Sequence, residues 1–419
     1  MFGGYACGVL SPWLLPALLA AAAPPVDARP STTGISLAEA REHALRAGPD
    51  VVLAELRAEV ARTEIDVAGT LANPTLGLST ARLTAKLTTL LGVPLPLFGQ
   101  RGTAVSAAKA DALAARLDVE AVRLDARWNA TRAWLDLWEA QERARLLTEA
   151  AADIERVANV ARERFAAGTA PRVDVVRTSA DQARARAEAS AAAGVVPAFA
   201  ARLAVWVSSN EPSSLRAAGP VELGPLPSEN DAMGQLFAHH PTLRRDRAQA
   251  DAAAAHVRAE QRLRWPIVNA DVTVAQGDPE VPGTDVTVGV SFEAPVLNQR
   301  RGPIARARAQ RALAEITTET ELRRLGAELT AAYRECESAG ARARSLAEEV
   351  LPALEEARRM TEEGYRDGRV DLLRVLDANA AARDARLAAA SARAAWQRAR
   401  ADVERAVGLS PTERSGDEP

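Results

Sequence analysis

The chain is written twice: landmarks of its first half recur in the same order roughly 192 to 200 residues later, so the fold of one half must be repeated in the other. Pro49 is answered by Pro241, and Asn73-Pro74 by Trp265-Pro266. Pro96-Leu97-Phe98-Gly99-Gln100-Arg101 is answered by Pro295-Val296-Leu297-Asn298-Gln299-Arg300, with Gly102 and Gly302 close behind. Trp134 falls opposite Tyr333, and Gly168 opposite Gly368. The offset grows between the second and third landmarks, which places the extra residues of the second copy in its turn-rich stretch from Gly277 to Gly283.

Between the repeated prolines lie segments of very different period. Ser36, three residues ahead of Glu39, forms a capping-box pattern and opens a short helix to about Ala47. A second helix runs from about Asp50 to Leu71, after the break at Gly48-Pro49. In Val268 to Val274, Val268, Ala270, Val272 and Val274 alternate with Asn269, Asp271 and Thr273. In Thr284 to Glu293, Val286, Val288, Val290 and Phe292 alternate with Thr287, Gly289, Ser291 and Glu293. These are two amphipathic strands of a hairpin, and the repeat assigns two strands to Asn73–Pro96, where Arg82 and Lys86 disturb the alternation.

Each hairpin is followed by a very long helical stretch, Arg101 to about Ala167 without proline, and Ile304 to about Asp367 with only Pro352. At 1.5 Å per residue each spans roughly 95 to 100 Å, far beyond one globular core. Aromatic residues are only 4% of the chain, and charges recur beside alanine and leucine, as in Arg116, Leu117, Asp118, Glu120 and Arg123. That composition suits long helices packed closely on small residues with solvated outer faces. Each long helix ends at a glycine and is followed by a shorter one, about Pro171 to Ser208 and about Asp371 to Gly408. Residues 210–230, with Pro212, Pro220, Pro225 and Pro227, read as the linker between a first repeat (29–209) and a second (231–409); 410–419 read as a disordered tail.

The apolar stretch from Val9 to Ala23 reads as the core of a secretory signal peptide over residues 1–28, cleaved after Ala28. Beyond it no run of about 18 apolar residues is evident, so no transmembrane helix is expected. Cys7 and Cys336 are the only cysteines and leave no intrachain disulfide in the mature chain. The net charge of −3, with both signs interleaved, gives no nucleic-acid surface. Adjacent His239 and His240 point in different directions on a helix, His43 and His256 are isolated, and no metal-ligand spacing appears. A surface helix end before Pro241 is the expected place of that pair. With no phosphate loop, nucleophile elbow or paired catalytic motif, no enzyme activity and no cofactor are expected. Trp128, Trp134 and Trp138 read as packing anchors of the first long helix, with a substrate-binding lining as the alternative.

Four strands cannot close a membrane barrel, since about eight are needed, and open edges are not tolerated in lipid. If the hairpins face lipid, several chains must pool them. The duplicated order of short helices, hairpin, very long helix, glycine turn and returning helix resembles the TolC family of outer-membrane efflux channels over Ile35 to Leu409. The motifs are Asn73-Pro74-Thr75-Leu76, Pro295-Val296-Leu297-Asn298-Gln299-Arg300-Arg301-Gly302, and the turns Arg164-Phe165-Ala166-Ala167-Gly168 through Asp174 and Gly364-Tyr365-Arg366-Asp367-Gly368 through Asp377. With Ile304-Ala305-Arg306-Ala307 following, the second motif most resembles the cation-efflux branch of CzcC and CusC type.

The resemblance implies a mainly α fold with a small β part: an internally duplicated long-helix coiled-coil barrel, and two β-hairpins per chain that join a trimeric 12-stranded transmembrane β-barrel. It implies a passive outer-membrane duct with helices in the periplasm. The duct would export substrate, heavy-metal cations first, delivered by an inner-membrane pump of RND type and a periplasmic adaptor. Its partners would be two further copies, adaptor, pump and outer-membrane lipid. Gly168 and Gly368 would sit at the adaptor-docking hairpin tips. Arg374 and Asp377, with first-copy equivalents Asp174 and Arg177, would line the periplasmic entrance, its charge mixed; Arg374 and Asp377, three apart, could equally pair with each other. The alternatives are a drug or protein-secretion duct of the same fold, or a soluble periplasmic coiled-coil interaction protein.

Overall fold

The computed structural model describes residues 34–80, 87–207, 214–219, 221, 223, 225–277, 283–293 and 295–409. The signal peptide, Arg82, Lys86 and the expected tail lie outside the described residues. The first half runs α1 (Leu37–Ala47), α2 (Pro49–Gly69), β1 (Thr75–Ser79), β2 (Leu87–Leu95), α3 (Gln100–Ala166) and α4 (Arg172–Val207). The second runs α5 (Glu229–His239), α6 (Pro241–Arg262), β3 (Val268–Gln276), β4 (Thr284–Phe292), α7 (Arg301–Ser345), a π-helical turn (Leu346–Val350), α8 (Leu351–Arg366) and α9 (Leu372–Val407).

Local chemistry sets the boundaries. Ser36 and Glu39 close a complete capping box on α1. Pro49 and Pro241 stand in the first turns of α2 and α6, where a missing N–H costs nothing. α3 holds 67 residues, about 100 Å at 1.5 Å per residue. Its counterpart is not one α-helix as its sequence suggested. The π turn interrupts it just ahead of Pro352, and the Leu351 amide reaches back to the Leu346 carbonyl, as a proline entering the helix requires local rearrangement.

The strands form one antiparallel sheet in the order β1-β2-β3-β4, leaving β1 and β4 as edges. Near the sheet, α3 packs between α2 and α6; toward its far end it packs between α4 and α9. α7 continues the layer beyond α6, and α8 beyond α9. The helices thus make a one-layer wall whose free flanks are α2 and α7 beside the sheet, and α4 and α8 at the far end.

The core sits at the waist. Trp134, Leu135 and Leu137 are fully buried against Ile35, Leu37, Leu203 and Val207, and Leu215, Val221 and Leu223 join them. The segment between the halves is therefore packed into the core, and Ala217 pairs in parallel with Ile35. Trp128 and Trp138 are partly buried on the same cluster, so the three tryptophans are packing anchors. α4 carries an 18-residue window of mean hydropathy 1.5, long and apolar enough by composition to cross a membrane. That departs from the sequence expectation because Gly194, Pro197 and Arg202 interrupt any continuous apolar run, while valine and alanine around them keep the mean high. In the fold α4 lies along α3, with part of its surface open.

Candidate functional site

The register sorts every strand side chain onto one of two faces. Leu76 and Leu91, Leu91 and Val272, and Val272 and Val288 are successive partners, and so are Leu95, Val268 and Phe292. One face is therefore apolar across all four strands. It is uncovered: Leu78, Val288 and Val290 expose 69%, 76% and 70% of their surface. The other face carries Thr75, Thr88, Gly92, Asn269, Asp271, Thr273, Asp285, Thr287 and Ser291, with Leu90, Pro94 and Ala275 as its apolar exceptions. A sheet greasy on its open side and polar on the other is built for lipid outside and water inside.

At the junction with the helices, Phe98 and Trp265 stack with centroids 5.5 Å apart. The Gln100 side-chain amide donates to the carbonyls of Trp265 and Pro266 at 3.2 and 3.1 Å, locking the start of α3 to the start of β3.

The opposite end holds two turns of the same construction. Gly168 has φ 76° and Gly368 φ 74°, the left-handed conformation that ends a helix at least cost on glycine. The Gly168 amide donates to Phe165 and that of Thr169 to Arg164; the Gly368 amide donates to Tyr365 and that of Arg369 to Gly364. Arg164 ties the turns together. It donates to the Tyr365 carbonyl at 2.7 Å and lies 4.6 Å over that residue's ring. Tyr365 is buried among Val157, Leu372, Val375 and Leu376, and burial raises its phenol above the ordinary range. Sequence reading missed this bond, whose only signal was an arginine and a tyrosine near repeat-related turns.

Arg177 on α4 and Asp377 on α9 line one cavity of about 200 Å³ floored by α3. Both are exposed and make no ion pair among the described residues. Asn379, 5% exposed, also lines this cavity, and its Oδ1 has no partner among the described residues. Arg374 and Asp377 do not pair with each other: the Arg374 backbone amide donates to the N-cap carboxylate of Asp371 at 3.0 Å, and the Arg374 side chain is exposed. Asp174 is half-buried in the first turn of α4.

The histidine pair is not a surface feature throughout. His240 is 2% exposed; its Nδ1 accepts from the Thr242 amide, capping α6, and its Nε2 meets the Arg405 carbonyl at 3.3 Å. Cys336 is buried and free. Among the described residues no group of three or more His, Cys, Asp or Glu side chains is placed to hold a metal ion.

A wall of helices about 100 Å long, ending in a sheet with a lipid-type face, defines a membrane-embedded conduit. The sequence matches the family described as outer membrane efflux protein over residues 40–205 and again over 232–409, and the chain belongs to that family. The family's match falls once on each half. The chain is 28% identical over 343 residues to the cobalt-zinc-cadmium resistance protein CzcC of Cupriavidus metallidurans, covering 80% of this chain and 81% of that one. Its fold resembles the outer-membrane channel OprN (TM-score 0.73, 20% identity, 89% of each chain) and CusC (TM-score 0.73, 16% identity, 89% of this chain and 92% of that one). The protein is thus an outer-membrane efflux channel, with its helical part as the periplasmic tunnel, and not an enzyme.

Proposed function

We propose that the chain is the passive outer-membrane duct of a tripartite efflux assembly, working as a homotrimer and exporting heavy-metal cations. The observation that carries this reading is the sheet: four strands, two open edges and one uncovered apolar face at the end of the long helices. Two copies would supply eight strands, whose barrel interior is filled by side chains, so an open duct needs about twelve strands and three copies. The helical flanks support the same closure. α2 exposes Leu53, Leu56, Val60 and Val67, and α7 exposes Leu313 and Ile316, apolar rows left uncovered by the described residues of one protomer.

In this reading Gly168 and Gly368 form the tips that dock a periplasmic adaptor, and Asp174, Arg177, Arg374 and Asp377 line the entrance that receives substrate from an inner-membrane pump of RND type. The division into repeats at 29–209 and 231–409 about the 210–230 linker belongs to the same reading, as does a signal peptide over 1–28. Likeness to a cobalt-zinc-cadmium resistance protein supports metal cations as cargo. The duct itself needs no tight metal site, because conduction requires weak binding.

The test is growth of a deletion strain on zinc, cobalt, cadmium, copper and silver salts beside lipophilic drugs and detergents. Sensitivity confined to metals is expected. Sensitivity to drugs with normal metal tolerance would assign the duct to organic-compound efflux instead.

A further inference from the structure

Thr75, Gly92, Asp271 and Gly289 are consecutive register partners and form one row across all four strands on the polar face. A Cβ placed on Gly92 would stand 3.0 Å from Asp271 Oδ1 and 2.7 Å from Thr75 Oγ1. The carboxylate therefore leans over Gly92, in space that any larger residue would take from it. On the other flank Gly289 leaves open space. The Asp271 side chain makes no hydrogen bond or ion pair among the described residues, and β1, β2, β3 and β4 contain no lysine, arginine or histidine. Nothing within the strands neutralises this charge, and with glycine on both sides it stays half-exposed.

We propose that Asp271 is a charge-selecting residue of the barrel, giving its lumen a preference for cations. The proposal rests on the trimeric barrel put forward above, in which three such rows meet at one level and place three carboxylates around the lumen with glycines beside each. Twelve strands about 4.8 Å apart and tilted by about 40° give a backbone radius of about 12 Å. The carboxylates then stand within about one Debye length of the axis at 0.1 M salt, so their field spans the whole cross-section. Three charges at that range, screened by salt, enrich a monovalent cation slightly more than two-fold and deplete a monovalent anion by the same factor, so they favour cation over anion roughly five-fold, and a divalent cation by more. Thr75, Thr273 and Asn269 offer hydroxyl and amide groups nearby but no fixed charge, and the other strand carboxylate of this face, Asp285, stands four residues along β4 from Gly289, about 13 Å away toward the end of the strand. The consequence is a cation-favouring exit that is independent of the mixed charges at the far end of the helices.

The experiment is the reversal potential of the purified full-length protein in planar lipid bilayers under a KCl gradient, for wild type, Asp271→Asn, Asp271→Lys and Asp377→Asn. Trimer content is checked on the same samples by mass in detergent. Wild type is expected to prefer potassium over chloride about five-fold, Asp271→Asn to move toward equal permeability, and Asp271→Lys to favour chloride. Asp271→Asn with an unchanged reversal potential in conducting trimers overturns the proposal and leaves the duct reading intact. Loss of selectivity in Asp377→Asn alone would overturn it too, by locating selection at the helix ends. Wild-type protein that forms neither trimers nor conducting channels removes the barrel itself, and this inference with it.

Discussion

Trp134 and Tyr333 do the same work in the two halves of the chain. The Trp134 indole N–H donates to the Ile35 carbonyl at 2.8 Å, and the Tyr333 hydroxyl donates to the Pro227 carbonyl at 2.7 Å. Each long helix thereby holds the segment that leads into the first short helix of its own half. The two bonds differ in burial: Trp134 is fully buried, whereas Tyr333 keeps 9% of its surface exposed. Trp134→Ala should destabilise the protein by about 3–5 kcal/mol, because it opens a cavity and orphans a buried carbonyl. Tyr333→Phe should cost only about 1 kcal/mol, the value of one hydrogen bond with the ring retained. Thermal unfolding of the detergent-solubilised variants checks the order.

A second expectation concerns the buried charges at the waist. Glu404 on α9 is 5% exposed and accepts from Arg41 on α1 at 3.0 Å and from Arg127 on α3 at 3.3 Å, both through Oε2. Arg41 also donates to Thr131, and Arg127 to the Leu409 carbonyl. Removing the carboxylate leaves two guanidiniums in a desolvated place, so Glu404→Ala should cost about 3–5 kcal/mol. Arg123→Ala, which breaks an exposed pair with Glu55, should cost under about 1 kcal/mol. Denaturant unfolding of both variants side by side decides whether burial governs the difference.

His240 should make stability depend on pH. Burial holds its imidazole below the ordinary value, outweighing the nearby Glu321 and Asp125 carboxylates and the Arg405 carbonyl, while Arg405's charge pushes the same way as burial. Below about pH 6.5 the unfolded chain takes up a proton that the folded chain refuses. The contribution is therefore complete above that pH and is lost as pH falls toward the depressed folded value. His240→Asn keeps an N-cap acceptor for Thr242 and removes the titration. Its unfolding midpoint should vary less than wild type's between pH 7 and 5, measured at constant ionic strength.

Much of this architecture is legible in the residues themselves. In β3 and β4 the alternation of valine with Asn269, Asp271 and Thr287 reports both strand and face, because a half-wet sheet must alternate. Gly168 and Gly368 announce their turns because only glycine enters the left-handed region cheaply. What was not legible depends on how distant helices register against each other. The bond from Arg164 to Tyr365, the burial of His240 and the clustering of Arg41, Arg127 and Glu404 are set by tertiary packing, and an arginine on an alanine-rich helix looks the same whether it faces water or a partner. The π turn escaped for a different reason: Pro352 signals a disturbance, but not which rearrangement resolves it.

The paired turns give a further expectation. Gly368→Ala must hold a positive φ with a Cβ and should cost about 1–2 kcal/mol locally. Gly102→Ala, in α3 with open space about it, should instead be neutral or stabilising. Limited proteolysis at the far helix ends, compared with global unfolding, separates a loosened turn from a weakened fold.

The free flanks make the last prediction. Within the chain, the joint between α3 and α6 carries polar pairs: Glu120 with Arg244 at 2.8 Å, Asp118 with Arg245 at 3.5 Å, and a contact of Asp111 with His256 at 2.8 Å. In the repeat, α2 stands where α6 stands and α7 where α3 stands, each helix pair sharing its landmark, Pro49 with Pro241 and Trp134 with Tyr333. At the free flanks the matching surface is apolar, with Leu53, Leu56 and Val60 on α2 and Leu313 and Ile316 on α7. A ring of copies would thus join α7 of one to α2 of the next through an apolar seam, while the seam within each copy carries the ion pairs of Glu120 and Asp118. Salt screens the second and not the first. Cysteines at Leu56 and Ile316, bridged by a short bismaleimide, should yield covalent trimers in membranes, with Cys336 protected by burial. Leu56→Asp should dissociate the trimer, whereas 1 M NaCl should leave it whole. Salt-induced dissociation, or crosslinks confined within single chains, would reject the apolar seam.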